Sequence, residues 1–251
     1  MPSVCPPGGG LQPCQGGDVS GARWCAPLSA LVLTAGCGGL PAQPASVRVA
    51  APTAAPTEPT PIPEPSPSPT SNPVVVPVGD GRLEVVPGRS EAVGGGGLRT
   101  YVVEVEGGLG IDAADFALAV EQTLADPRSW TSGGRRAVQR VDGDDADDAD
   151  VRVALASPQT ADGLCAPLRT NGRYSCANGD RAVLNAARWQ TGATAYEGEL
   201  EAYRDYLVNH EVGHVLGFGH VDCTAPGTVA PVMLQQTIGL QGCLPGAWPY
   251  P

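Results

Sequence analysis

The sequence contains no lysine, only two phenylalanines and only three histidines in 251 residues, and its acidic side chains outnumber the basic ones by 26 to 15. A formal net charge of -11 repels the phosphate backbone of DNA and RNA, which excludes nucleic acid as a partner. The scarcity of phenylalanine, together with 26 prolines, excludes one continuous core for the whole chain. The composition therefore predicts a chain divided into parts.

The first apolar stretch, "WCAPLSALVLTAGCGG", indicates export. Its apolar core of about a dozen residues is too short for a comfortable membrane span but fits a signal peptide. It ends in small residues before Cys37 and resembles the lipobox at which a bacterial signal peptidase cleaves and the cysteine is acylated. We expect a signal peptide at residues 19–36 and a lipid anchor to the membrane on Cys37. The alternative is an ordinary secreted protein, and residues 1–18 read as a mis-assigned start.

Residues 37–80 are dominated by proline, alanine, threonine and serine, as in "APTAAPTEPTPIPEPSPSPTSNP". Such a segment buries too little apolar surface to offset the entropy of ordering its backbone, and its prolines favour the extended polyproline II conformation. We expect a tether that can hold a folded domain about 100 Å from a lipid anchor.

The remainder, residues 81–251, is long enough for one folded domain. Alternation and β-branched residues predict a strand at "LRTYVVEVEG", and further strands at "RAVQRV", "DVRVALA" and "RAVLNAARW". Asp112 can cap a helix over "AADFALAVEQTLAD", which Pro127 ends. A second, longer helix is expected from about Glu199 to Leu216. This order predicts an α+β fold with a mixed sheet ahead of the last helix.

Four cysteines fall in this domain, and an even number in an exported protein suggests disulfides. Of the three possible pairings, the one between neighbours in sequence joins Cys165 to Cys176 and Cys223 to Cys243. A zinc site built from these thiols is the alternative, which the absence of a CxxC pair disfavours.

All three histidines lie in "HEVGHVLGFGH", residues 210–220. Helical residues four apart share a face, so His210 and His214 can direct both imidazoles at one ion. Gly217 allows a left-handed turn out of the helix, which brings back His220 as a third ligand. Three neutral imidazoles hold Zn²⁺ and leave a position for water, whose proton Glu211 can accept during attack on a carbonyl. The alternative for each histidine alone is an ordinary surface or core residue.

The pattern HExxHxxGxxH resembles the signature of the metzincin zinc metalloendopeptidases, whose zinc lies above a methionine-containing turn. Met233 in "APVMLQQT" follows His220 by thirteen residues, which is compatible with that turn, although a structural core methionine is the alternative. The resemblance implies a zincin or metzincin-like mixed sheet with an active-site helix, a third histidine and a Met-turn. Some metzincins carry a tyrosine two places after the methionine, where this chain has Gln235, so any oxyanion donor must come from elsewhere. The residue after the third histidine differs among metzincin subfamilies. In this chain it is Val221, which matches none of the subfamilies considered.

Five further stretches, "DPRSW", "LNAARW", "YRDYLVNHEVGH", "APVMLQQT" and "WPYP", are similar to a family of exported zincin-like proteins of unknown function. The resemblance also implies that strands border the cleft. If "RAVLNAARW" or a neighbour is the edge strand, a peptide can bind by adding to the sheet, and an interior position is the alternative.

Some metzincins are kept latent by a propeptide cysteine. No cysteine lies between Cys37 and Cys165, so we expect no such latency.

Six aspartates crowd "DGDDADDAD", residues 142–150. Ca²⁺ binding is conceivable, but the spacing is not that of an EF-hand, and a solvated acidic loop is the favoured interpretation.

These observations predict an extracytoplasmic zinc peptidase that hydrolyses peptide bonds in a peptide or protein substrate. The alternative is a catalytically weak or inactive zinc-binding module of the cell surface. A binding module needs the three histidines but has no need of Glu211, so the presence of this acid favours the enzyme.

Overall fold

A single mixed β-sheet underlies the part of the chain that the computed structural model describes, residues 74–251. The expected signal peptide, Cys37 and the tether up to residue 73 lie outside the described residues. The seven strands are β1 (Leu83–Val85), β2 (Val93–Gly94), β3 (Gly97–Glu106), β4 (Arg136–Arg140), β5 (Val151–Ala156), β6 (Cys176–Asn178) and β7 (Arg181–Asn185).

The strand order is β2-β4-β3-β5-β7-β6, and β1 lies beside the second half of β3. The four central strands, β4, β3, β5 and β7, run parallel to one another, and the three short strands, β1, β2 and β6, pair with them antiparallel. Along β3 and β5 consecutive residues are buried, as expected of parallel strands that are covered on both faces. The α+β prediction with a mixed sheet is confirmed.

Four α-helices accompany the sheet: α1 (Ala113–Ala125), α2 (Pro158–Leu164), α3 (Ala186–Thr191) and α4 (Leu200–Val215). The two long helices match the predicted ones. Asp112 caps α1 by accepting from the backbone amides of Ala114 and Asp115. The ends of α4 fall at the expected Glu199 and Leu216, which are its caps.

The predicted strand "RAVLNAARW" is wrong in its second half. Strand β7 ends at Asn185, and α3 begins at the next residue. The reason is local, because the Asn185 side chain accepts a hydrogen bond from the backbone amide of Ala187 and so caps a helix. The turn into α3 brings Trp189 against Phe116 of α1 in an edge-to-face contact, with ring centroids 4.8 Å apart.

The main core lies between the sheet and helices α1, α3 and α4. Val103 of β3, Leu155 of β5, Leu184 of β7 and Tyr203 of α4 are all fully buried in it. Burial of apolar surface at about 25 cal/mol per Å² is the main force that fixes α4 on the sheet. The helix that carries the first two histidines is therefore rigidly supported.

Residues 74–80, the end of the expected tether, lie along this domain. The carbonyl of Pro77 accepts from the amide of Gln159, and the amide of Asp80 donates to the carbonyl of Gly107. Gly79 packs so closely on the Glu106 carboxylate that a Cβ would collide with it. Within this segment Val75 and Val76 are half-buried, whereas Val74 and Val78 are exposed.

Both disulfides join the cysteines that are neighbours in sequence, Cys165 with Cys176 and Cys223 with Cys243. This is the expected pairing, and it leaves no thiol of the domain to bind zinc. Two disulfides indicate an oxidising, extracytoplasmic environment.

The carboxylates of the acidic stretch at residues 142–150 do not converge on one point. Asp142 and Asp145 both pair with Arg89, Asp147 lies near Arg152, and Asp150 pairs with Arg99. These described aspartates therefore form no converged set of ligands for Ca²⁺.

Between residues 74 and 251, no helix combines the length and the apolar composition needed to cross a membrane.

Candidate metal centre

Helix α4 brings His210 and His214 to the same face, one turn apart, with ring centroids 4.8 Å apart. His210 is buried, and its Nδ1 lies 2.8 Å from the carbonyl oxygen of Val232. A carbonyl can only accept, so Nδ1 carries the proton and Nε2 keeps a free lone pair. Val232 thus fixes both the orientation of the ring and the tautomer that can bind a metal.

The turn after α4 orients His214 through a backbone carbonyl, as Val232 orients His210. Gly217 takes a left-handed conformation with φ of 93°, as predicted for the residue that ends the helix. The carbonyl of Phe218 then points back and accepts from Nδ1 of His214 at 2.8 Å. The ring of Phe218 stacks on Trp130 with centroids 4.6 Å apart, which holds the turn in place.

His220 follows this turn and lies beside the other two histidines as the third possible metal ligand. Its Nε2 lies 3.0 Å from Nε2 of His214, and its ring stacks on that of His210. One ligand nitrogen from each of the three rings can be chosen so that all lie within 4.8 Å of one another. Among residues 74–251 this is the only group of three or more His, Cys, Asp or Glu side chains that converges in this way.

The donor set fits Zn²⁺. Two imidazole nitrogens bound to one tetrahedral zinc at about 2.0–2.1 Å lie about 3.3 Å apart, close to the separation of His214 and His220. Burial lowers the pKa of His210 to about 3. Burial and the neighbouring His214 also lower the pKa of His220. Both rings are therefore neutral at physiological pH, as metal ligation requires.

Glu211 follows the first histidine on α4 and reaches the same cleft. Glu211 is only 4% exposed. No side chain or backbone group among residues 74–251 makes a hydrogen bond or a salt bridge with its carboxylate. Burial raises the pKa of Glu211 to about 8. The carboxylate oxygens are not among the fully buried unpaired atoms of the described residues, so they reach the cleft, and an acid with a raised pKa in a cleft is a candidate catalytic group.

Met233 packs against α4 directly beside His214. A Cβ built on Gly213 would lie 2.6 Å from Sδ of Met233 and 2.6 Å from Cζ2 of Trp130, so only glycine allows this approach. The amide of Val221 donates to the Met233 carbonyl at 3.2 Å, which ties the methionine segment to the third histidine. Met233 therefore contacts the helix and the turn that carry the ligands.

Three buried tyrosines, Tyr196, Tyr203 and Tyr206, anchor the segment that follows Met233. The Tyr206 hydroxyl donates to the carbonyl of Leu234 at 3.0 Å and accepts from the amide of Gln236 at 2.9 Å. The Tyr196 hydroxyl donates to Oε1 of Gln236, and the hydroxyls of Tyr203 and Thr237 lie 3.0 Å apart. Burial raises the pKa of Tyr206, so the hydroxyl stays protonated for this role.

A cleft of about 550 Å³ opens over the three histidines. One wall is formed by Gln235 and Ile238 after the methionine, and the other by the disulfide-closed loop 165–176 and strand β6. Strand β7 is interior, between β5 and β6, so the edge strand at this side of the sheet is its neighbour β6. Ala177 of β6 lines the cleft, and the outer edge of β6 has no strand partner within the described chain.

The structure brings the three histidines expected to bind metal together in one cleft with Glu211. Gly217 lies in the turn between His214 and His220, and Met233 packs against α4. Cys37 lies outside the described residues. Sequence reasoning did not single out Gly213, Trp130, Gln236 or the three tyrosines. Gly213 had a usable signal, because a glycine inside a helix costs about 1 kcal/mol and often marks a close approach. The buried tyrosines and Gln236 had none, because their partners are far away in sequence.

A family model described as "Protein of unknown function (DUF3152)" matches residues 70–251. The chain belongs to the DUF3152 family. The match covers the whole described domain, and it starts within the residues that we assigned to the tether. No curated protein and no solved structure shows a significant match to the chain.

Proposed function

We propose that this DUF3152 protein is a zinc-dependent peptidase of the metzincin type. The observation that carries the proposal is the convergence of three imidazoles, two of them oriented by backbone carbonyls, beside Glu211, a mostly buried acid without a partner among residues 74–251, in an open cleft. A sheet ahead of the active helix, a glycine turn and a buried methionine against that helix support a zincin or metzincin-like fold.

His210, His214 and His220 are the residues that would hold the ion. Bound there, Zn²⁺ supplies Lewis-acid chemistry, because it makes water more acidic and polarises a peptide carbonyl. His210 and His214 present their Nε2 atoms because backbone carbonyls hold their Nδ1 protons. His220 lacks such a partner in the described chain and is exposed, so it is the ligand that the protein orients least.

Glu211 acts as the general base. It accepts a proton from the water whose oxygen attacks the carbonyl carbon, and it returns that proton to the amide nitrogen as the C–N bond breaks. Atoms balance, because one water is consumed and one carboxyl and one amine are formed. The neighbouring cation favours the ionised form of Glu211 that this role requires.

Strand β6 suggests how a peptide binds. The strand lines the cleft and its outer edge has no strand partner among residues 74–251, so an extended substrate could add to the sheet through main-chain hydrogen bonds. Gln235 is exposed and lines the cleft, and its side chain has no hydrogen-bond partner among residues 74–251. Export and a lipid anchor on Cys37 would bring this activity to the cell surface.

The test of the proposal is turnover of a broad peptide library by the purified protein, loaded with one equivalent of zinc and followed by mass spectrometry. We expect cleavage that stops when a chelator removes the metal and returns when zinc is restored. Stoichiometric zinc binding without any cleavage would contradict the enzyme and leave a zinc-binding surface module.

Metal analysis tests the ligand set separately. The parent should bind one zinc per chain, and His214→Ala should lose at least about 100-fold in affinity, since two imidazoles hold the ion far less well than three. Gln190→Ala, which changes a half-buried polar residue on α3 outside the histidine cleft, is the control. A His214→Ala protein that keeps a full equivalent of tightly bound zinc would refute the assignment.

A further inference from the structure

Arg169 is the only basic side chain among the described residues that line the histidine cleft. The only carboxylate in that lining is Glu211, which is buried beside the histidines. With a divalent ion bound among the neutral imidazoles, as the proposed function requires, the cleft would be electropositive, because its one arginine adds to the charge of the ion. This local charge stands out in a protein with a formal net charge of -11.

The guanidinium of Arg169 is exposed and has no partner within residues 74–251. Most arginines of the domain are engaged. Six form salt bridges: Arg89, Arg99, Arg128, Arg140, Arg152 and Arg181. Arg82 and Arg135 share the lack of a described side-chain contact, but neither of them lines the cleft. Arg169 thus combines a guanidinium without a partner among residues 74–251 with a place in the lining of the cleft that contains the three histidines.

The backbone around Arg169 is fixed. The Cys165–Cys176 disulfide closes the loop, and the amide of Leu168 donates to the carbonyl of Cys165 at 2.9 Å. On the other side, the amide and the hydroxyl of Thr170 both donate to Oδ1 of Asp162, at 3.0 and 2.6 Å. A side chain that projects from a rigid loop loses less entropy on binding a ligand than one on a flexible loop.

We propose that Arg169 binds a carboxylate of the peptide substrate, so that the enzyme prefers a peptide that presents a carboxylate at this place in the cleft. A guanidinium offers two parallel N–H donors that match the two oxygens of a carboxylate. The carboxylate is either an Asp or Glu side chain near the scissile bond or the carboxyl terminus of the peptide. The proposal rests on the peptidase function proposed above.

Matched peptides test the preference. Each peptide carries Glu at one position and its partner carries the uncharged isostere Gln, and every pair is made with a free and with an amidated carboxyl terminus. We expect kcat/KM to be about tenfold higher for Glu than for Gln at one or more positions, or for the free over the amidated terminus. A Glu/Gln ratio above one identifies a side-chain carboxylate as the group that Arg169 binds. A free/amidated ratio above one identifies the carboxyl terminus.

Substitutions then assign the preference to Arg169. Arg169→Ala should slow only the carboxylate-bearing member of a pair and bring the ratio near one, and Arg169→Lys should restore part of it through charge alone. Arg82→Ala removes the same charge away from the cleft and should leave the ratio unchanged. Ratios near one for every pair in the parent, or an equal loss for both members in Arg169→Ala, would overturn the proposal.

A binding measurement separates this proposal from the peptidase itself. Fluorescently labelled versions of the same peptides are titrated against zinc-loaded Glu211→Gln protein, and anisotropy is read without turnover. Tighter binding of the carboxylate member, lost when Arg169→Ala is added, supports the role of Arg169 even if the parent cleaves nothing. Equal binding of both members, or no binding, would overturn it even if the parent is an active peptidase.

Discussion

Gly213 lies directly against the thioether of Met233, with no room for a methyl group between them. This contact joins the helix that carries His210 and His214 to the segment whose Val232 carbonyl orients His210. The position of the first ligand therefore depends on how closely α4 and the methionine segment approach each other.

Gly213→Ala should destabilise the protein although alanine is the better helix former. The new methyl group would overlap with Met233 and with the buried ring of Trp130, and overpacking costs about 1–3 kcal/mol. Helix propensity offsets about 1 kcal/mol of this cost. We expect a net loss of up to about 2 kcal/mol in urea unfolding, together with weaker zinc binding. Gly163→Ala in α2 is the matched control, because its methyl group meets open space, and it should be neutral or stabilising. Equal stability of the two variants would contradict this account.

Phe218→Ala should weaken metal binding without removing a ligand. Its ring stacks on Trp130 and so holds the carbonyl that orients His214. Loss of a partner that orients a metal ligand reduces affinity by about 10–100-fold, which competition with a chromophoric chelator measures. Leu118→Ala, on the exposed side of α1, removes similar apolar volume away from the site and should leave zinc affinity unchanged. Unchanged affinity in Phe218→Ala would show that the turn is fixed by other contacts.

Glu106 gives the domain a predictable sensitivity to acid. Burial opposes ionisation of this carboxyl, but hydrogen bonds from Ser157, Thr160 and Gly81 outweigh it and lower the pKa of Glu106 below 4.5. A group with a lowered folded-state pKa contributes stability above its unfolded-state pKa, and this stability is lost as the pH falls through the folded-state value. The free energy of unfolding should therefore decline as the pH drops below about 4.5.

Glu106→Gln should make this decline shallower and should cost about 1–3 kcal/mol at neutral pH, because an amide oxygen replaces only part of the acceptor capacity. Denaturant unfolding between pH 3 and 7 checks both effects. An unchanged slope in the variant would show that other carboxyls govern acid unfolding.

The sequence predicted those elements whose signals are local. The alternation of β3, the Asp112 cap of α1 and the spacing of the histidines on α4 all lie within a few residues of the structures they specify. The pairing of Cys165 with Cys176 followed from proximity in the same way. These features needed no knowledge of the tertiary structure.

Other features depend on distant partners. Strand β6 is three residues long, and its pairing with β7 and its place at the edge of the cleft come from the sheet and the disulfide. The end of β7 at Asn185 was missed because "LNAARW" continues the apolar character of the strand, whereas the Asn185 cap redirects the chain into α3. The burial of Gln236 between Tyr196 and Gly246 has no pattern in the sequence around it.

The most direct test of the central claim compares the parent with Glu211→Gln on the best peptide from the library, with zinc content measured in the same samples. Gln keeps the shape of the side chain and leaves the three histidines intact, so both proteins should bind one zinc. General-base catalysis contributes about 100-fold or more, and we expect kcat/KM to fall by at least that factor in the variant. A zinc-loaded Glu211→Gln protein that cleaves the peptide as fast as the parent would contradict the mechanism.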